Sequence, residues 1–273
     1  MPGQYYYLVS GLPDILLDSG RSVPSSIEVM EELEEILSPD DLELLGVIRL
    51  QIDNRNLINI LETRSDPFDP RGKFSRKTTE EIAKGTEQGP DYMDDFLQAR
   101  QEGRVLFAGL TAEDTLAWLY HEEMEDHPNE FIREWAGFEA DLRNILGALN
   151  ARADGIDLSR VVVGRSEAGE AILKSSAADL SLGQTHPWIE KLIAASADGL
   201  LKREKIADQL RWDKLGDLTI LSHFGIETLL AFILRLFIAE RWVKLDPAEG
   251  RRMLDELAQE MASHLTEWTP AVK

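Results

Sequence analysis

The chain has 273 residues, of which 43% are hydrophobic and 29% charged, the balance of a folded protein large enough to bury a sizeable core. Fifty acids against 29 bases give a net charge of −21, which argues against a general nucleic-acid binder and against a polybasic membrane anchor. With no cysteine, disulfides, thiolate nucleophiles and cysteine-bound zinc or iron–sulfur centres are excluded, and a cytosolic chain fits.

Taken in chain order, the first residues lack the basic and apolar regions of a secretory leader. The aromatic and β-branched residues 5–9 read as a short strand or extended arm, ended by Gly11 and Pro13. After that the signals are helical. Ser25-Ser26 starts a helix with Ile27, Met30, Leu33, Ile36 and Leu37 on one face. Ser38-Pro39-Asp40-Asp41 stops it and starts another: serine caps free amides, proline fits the first turn, and acids suit the positive end of the dipole. Residues 65–90 are punctuated by proline and glycine and read as a linker or mobile loop with one short helix near 79–83. Within it Arg71, Lys73, Arg76 and Lys77 stand without an acid, either as a solvated loop or as a docking patch for an acidic partner.

Helices resume at 92–102, 111–125 and 129–152, with Pro128 as a candidate first-turn residue. Residues 161–163, three valines, fit either a strand or a buried helical turn. Further helices are expected at 168–180, 187–210, 215–244 and 247–268, the last opened by Asp246, Pro247 and Glu249 in a near capping box. The most apolar stretch, 226–239, contains Glu227 and Arg235 and is too short to span a bilayer of about 30 Å, so it reads as a buried core helix. The expected fold is mainly all-α: a multi-helix bundle of two or three related units with a short extended N-terminal segment. The boundaries are 1–64 for the first unit with its arm, 65–90 for the linker, 91–160 for the second unit and 161–273 for a divergent third.

One segment recurs. Residues 50–66 and 138–154 match at a constant offset of 88, so Asp53, Arg55, Asn56 and Arg64 return as Asp141, Arg143, Asn144 and Arg152. Leu57 pairs with Ile145, and Ile58 with Leu146. Both copies follow acid-rich stretches: residues 28–43 hold eight acids and no lysine or arginine, and 111–130 hold seven. Asp53 lies three and four residues from Asn56 and Leu57, so the three share a helix face. The arginine can pin a neighbouring helix by a carboxylate fork while the leucines fill the core. A motif repeated within one chain reads first as a packing device.

These repeated Asp-x-Arg-Asn helices are one half of a family resemblance. The other half is Leu215-Gly216-Asp217-Leu218, then Phe224-Gly225-Ile226-Glu227-Thr228-Leu229-Leu230-Ala231, ending in Ala239-Glu240-Arg241-Trp242. The pattern resembles the C subunit of V-type and A-type ATPases, called subunit d in eukaryotes. It is closer still to a bacterial family encoded beside V-type ATPase genes in lineages lacking an obvious C subunit, whose start is similar to Tyr5-Tyr6-Tyr7-Leu8 with Leu12-Pro13. The resemblance implies an all-helical funnel of three related units that caps the rotor ring and seats the central shaft. It implies no chemistry and no cofactor. The partners implied are V-type ATPase shaft subunits and the proteolipid ring. The chain would sit on the cytoplasmic face, held to the membrane only through proteins, and be monomeric when isolated. Residues 217–245 do not align with the repeated helices residue by residue.

Signals for an enzyme are sparse. His121 and His127 are six apart, not the four of a zinc-binding His-Glu-x-x-His helix, and read as solvated acid-rich surface. His186 reads as a helix start, and His223 and His264 as isolated side chains. Asp91, Asp94 and Asp95 form a carboxylate cluster whose order is the reverse of the magnesium–diphosphate helix of isoprenoid synthases, and a helix N-terminus explains the acids better, because carboxylates stabilise the positive end of the dipole. Gly164-Arg165-Ser166-Glu167-Ala168-Gly169 lacks the lysine of a phosphate loop. Two alternatives to the coupling role therefore stand: a helical metal-dependent diphosphate-processing enzyme, and an acidic adaptor occupying a basic groove on a partner.

Overall fold

Helix starts follow the serine and threonine signals. Ser25 Oγ accepts the N–H of Glu28 at 3.4 Å, Ser38 Oγ that of Asp41 at 3.3 Å, and Thr111 Oγ1 that of Asp114 at 3.1 Å. The computed structural model describes residues 5–17 and 23–244, and among them it is all-helical with no strand. Its helices are α1 (Tyr6–Gly11), α2 (Ser26–Glu34), α3 (Pro39–Val47), α4 (Leu50–Leu61), α5 (Arg76–Ala83), α6 (Asp91–Gln101), α7 (Ala112–Glu125), α8 (Glu130–Asp154), α9 (Glu167–Lys174), α10 (Ile189–Ala197), α11 (Leu200–Thr219) and α12 (Ile226–Lys244). The helix expected at 247–268, and with it His264, lies outside the described residues.

Several elements differ from expectation. Residues 6–11 are helical rather than extended. The N–H of Tyr5 donates to the carbonyl of Phe224 at 2.7 Å, its hydroxyl donates to Asp41, and the Tyr6 ring packs tilted against Phe224 with centroids 4.4 Å apart. Docking on the α11–α12 connection and on α3, with no strand to pair against among the described residues, overrides the β-preference of the aromatic run. Pro128 precedes the cap of α8 instead of opening it: Asn129 Oδ1 accepts the N–H of Ile132 at 3.1 Å. Of the face expected on α2, Met30, Leu33 and Leu37 are buried, but Ile36 falls past the helix end and is exposed. The run 187–210 breaks at Gly199, whose φ of 107° lies outside the helical region, and the run 215–244 breaks at 220–225 so that α12 folds back onto α11. The three valines 161–163 form neither strand nor helix; they follow a single 3-10 turn at 158–160.

Two apolar cores result. The first gathers α2 to α7, the start of α8, Leu215 and α12; the second gathers the middle of α8 with α9, α10 and the middle of α11. Helix α8, 25 residues and so about 37 Å long, runs through both, with Phe138 touching each. The stretch 226–239 is the buried core helix expected: Leu229, Leu230, Ala231, Ile233 and Leu236 are almost fully buried. Among the described residues no helix is long and apolar enough to cross a membrane.

The helix contacts form a circuit. Helix α7 packs between α4 and α8, α11 packs between α8 and α12, and α12 returns to pack on α2 and α3, which lead directly into α4. Residues 65–90, expected as a linker, hold α5 and pack back on α4.

Candidate functional site

The repeated helices place their shared residues in parallel roles. On α4, Asn56 closes a two-bond clamp on the returning chain: its Nδ2 donates to the carbonyl of Asp69 at 2.9 Å, and its Oδ1 accepts the N–H of Asp69 at 2.9 Å. On α8, Asn144 makes the same clamp on Val163, at 2.8 and 2.9 Å. A carboxamide has one acceptor and one donor side by side, so it completes both backbone groups of a residue that has left regular structure.

The aspartates one turn earlier extend the stitching. Asp53 accepts the N–H groups of Lys73 at 2.8 Å and Phe74 at 3.2 Å; Asp141 accepts the Ser166 hydroxyl at 2.9 Å and meets His186 Nε2 at 3.1 Å. Each thereby anchors the chain as the next helix begins, since Ser75 caps α5 and Ser166 caps α9. Asp53 is completely buried, and burial pushes its carboxyl up to about 6, against the two N–H bonds and the nearby Arg49 and Lys73. Gly72 touches this carboxylate so closely that a Cβ there would lie 2.2 Å from Asp53 Oδ1. Arg49 meanwhile donates to the carbonyls of Arg71 and Gly72.

The arginines diverge. Arg143 pins α7 through Asp114 at 2.6 Å, as a carboxylate contact to a neighbouring helix predicts, whereas Arg55 is exposed and has no ion-pair partner among the described residues. Arg152 donates to the carbonyls of Ser175 and Ala177 just past the end of α9. Arg64 instead pairs with Glu62 and Glu113. The basic run 71–77 is consumed internally: Arg71 binds Asp69 and Glu240, Lys73 binds Glu43, Arg76 binds Glu80 and Lys77 binds Glu81.

Between the repeats lies a cleft of about 210 Å³, walled by Gln51, Asn54 and Arg55 of α4, Glu113, Tyr120 and His121 of α7, Glu139 and Arg143 of α8, and Arg211 of α11. Arg211 forks onto Glu139 at 2.7 and 3.1 Å and reaches Asp208 at 3.0 Å. Burial alone would lower this guanidinium, but Glu139 and Asp208 outweigh it and push it up. Asp208, itself buried, also takes Arg241 and Trp242, which ties α11 to α12.

His121 is buried rather than solvated. Spacings of four put Leu116, Tyr120 and Met124 on the buried stripe of α7, and His121 stands beside it. Burial, then the Arg143 charge, holds its imidazole down to about 4. His127 Nδ1 accepts the N–H of Asn129. His186 lies in the connection before α10, on Asp141, and His223 is exposed. Asp91 and Asp94 occupy the first turn of α6, where Asp94 accepts the N–H of Gly89 at 3.1 Å, and Asp95 is exposed. Among the described residues no three histidines or carboxylates come together as a metal site. Sequence reasoning missed His121 and the Glu139–Arg211–Asp208 group; only the stripe spacing in α7 carried a signal for the first.

No curated protein and no solved structure matches the chain. One family model does, over residues 2–264, nearly the full length that carries both repeats, the cleft and the closing helix. The chain belongs to that family, described as a protein of unknown function, DUF2764.

Proposed function

We propose that this protein is a non-catalytic central-stalk subunit of a V-type ATPase, coupling the rotor shaft to the membrane proteolipid ring. The observation that carries the reading is the two-bond clamp made identically by Asn56 and Asn144, which makes the repeated segment a structural unit used twice. The resemblance at 50–66, 138–154 and 215–242 rests on those same helices. A torque-transmitting body needs stiffness, and the circuit of α4, α7, α8, α11, α12 and α2–α3 favours it, because α7, α8, α11 and α12 each pack against more than one neighbour.

Two surfaces suit two partners. Seven of the eight acids in 28–43 are exposed, Asp41 being the exception, and they would attract basic shaft residues and orient assembly. Tyr6, Tyr7, Ile220, Leu221 and Phe224, exposed where α1 meets the α11–α12 connection, offer an apolar end for the ring. The chain would be peripheral on the cytoplasmic face, bound through protein, without cofactor or nucleic acid, and monomeric when isolated. Purification through a C-terminal tag from native membranes tests this: ATPase shaft subunits should travel with the chain. Recovery of the chain alone, from membranes whose ATPase is intact, would sink the reading.

A further inference from the structure

The cleft between the repeats is lined by three guanidinium groups, of which Arg211 is fully engaged with Glu139 and Asp208 and Arg55 and Arg143 keep donors without a partner among the described residues. Arg55 and Arg143 occupy equivalent places in the two repeats, yet both line this one cavity, with Arg211 as a third guanidinium. Facing them are two carboxylates, and both are engaged: Glu139 by the Arg211 fork and Glu113 by Arg64 at 3.2 Å. Arg143 spends one Nη on Asp114, leaving Nε and Nη1 without partners among the described residues, and Arg55 has no partner at all there. His121, 95% buried in the wall, has no hydrogen-bond partner for its buried Nδ1 among the described residues. A buried polar group without a partner destabilises the fold, and a ligand that supplies the partner offsets that cost. In a chain of net charge −21, unpaired guanidinium groups at the rim of a cavity are not needed for solubility.

We propose that this cleft binds a small oxyanion, gripped by Arg55 and Arg143 with the His121 imidazole as an additional polar contact. Planar guanidinium groups fork onto carboxylate and phosphate oxygens, which fits the ligand class. About 210 Å³ accommodates one such group with a few waters and is smaller than the roughly 300–1,000 Å³ of sites for larger ligands, so a nucleotide is not the occupant. The same chemistry can arrive free, as inorganic phosphate, or as the carboxylate of an acidic side chain on a docked protein. The inference does not depend on the ATPase reading.

The experiment follows the ring proton signals of His121, assigned from His121→Asn, while phosphate and, separately, acetate are titrated into the full chain at constant ionic strength. A saturable shift is expected. Arg55→Gln removes an exposed, unpaired side chain and should leave the circular dichroism unchanged while weakening saturation by roughly tenfold or more; Arg143→Gln should weaken saturation likewise, with the loss of its Asp114 ion pair read separately by urea unfolding. Saturation by phosphate alone identifies a free tetrahedral anion, and saturation by acetate identifies a carboxylate; either upholds the site. Absence of saturation with both ions, or unchanged saturation in both folded variants, overturns it.

Discussion

Asp53 and His121 are both buried, and they respond to pH in opposite directions. Asp53 titrates at about 6 in the fold against an ordinary 3.8, so between those values the folded chain holds more protons and stability falls as pH rises. His121 titrates at about 4 against an ordinary 6.5, so between those values the unfolded chain holds more protons and stability grows as pH rises. Each effect is of order 3 kcal/mol, and the windows overlap, so the pair nearly cancels in the intact protein. Removing one should uncover the other. Urea unfolding from pH 4 to 7 should show Asp53→Asn gaining stability with pH more steeply than the parent, and His121→Asn losing it relative to the parent. Variants that run parallel to the parent would contradict both assignments. At this scale the sequence was partly legible. The shared face of Asp53, Asn56 and Leu57 followed from helical spacing, and all three are buried. Their partners did not, because Asp69 and Val163 lie 13 and 19 residues onward, and no local periodicity specifies where a chain returns.

Among elements, the helix starts were the most legible feature, because a cap is decided within four residues. Ser25, Ser38 and Thr111 all act as read. The breaks were least legible. Around Gly199 and at 220–225 the helical spacing of apolar residues continues across the interruption, and only the need to pack α11 against α10 and α12 selects the turn. What joins these later elements is electrostatic. Arg211 of α11 forks onto Glu139 of α8 and reaches Asp208, which holds Arg241 and Trp242 of α12. Arg211→Ala should therefore cost about 3–5 kcal/mol in urea unfolding, because Glu139 would be left buried and unpaired. The double replacement of Glu139 and Arg211 by methionine should cost less than that single change. A loss below about 1 kcal/mol for Arg211→Ala would show that the group is incidental.

For the whole molecule, the all-helical class and the repeated unit were readable from caps, apolar spacing and the 88-residue offset. The closing of the helix circuit by α12 on α2 and α3 was not, since it joins residues some 200 apart, for example Glu240 with the N–H of Ser26 at 2.6 Å. A body closed in this way can pass torque between two partners without chemistry of its own, and that is the central claim. Its most direct measurement is ATP-driven ion pumping alongside ATP hydrolysis, in native membranes depleted of the chain and then replenished with it. The account predicts that depletion abolishes pumping while hydrolysis by the shaft-bearing head persists, and that the added chain restores pumping. Pumping that survives complete depletion would contradict it.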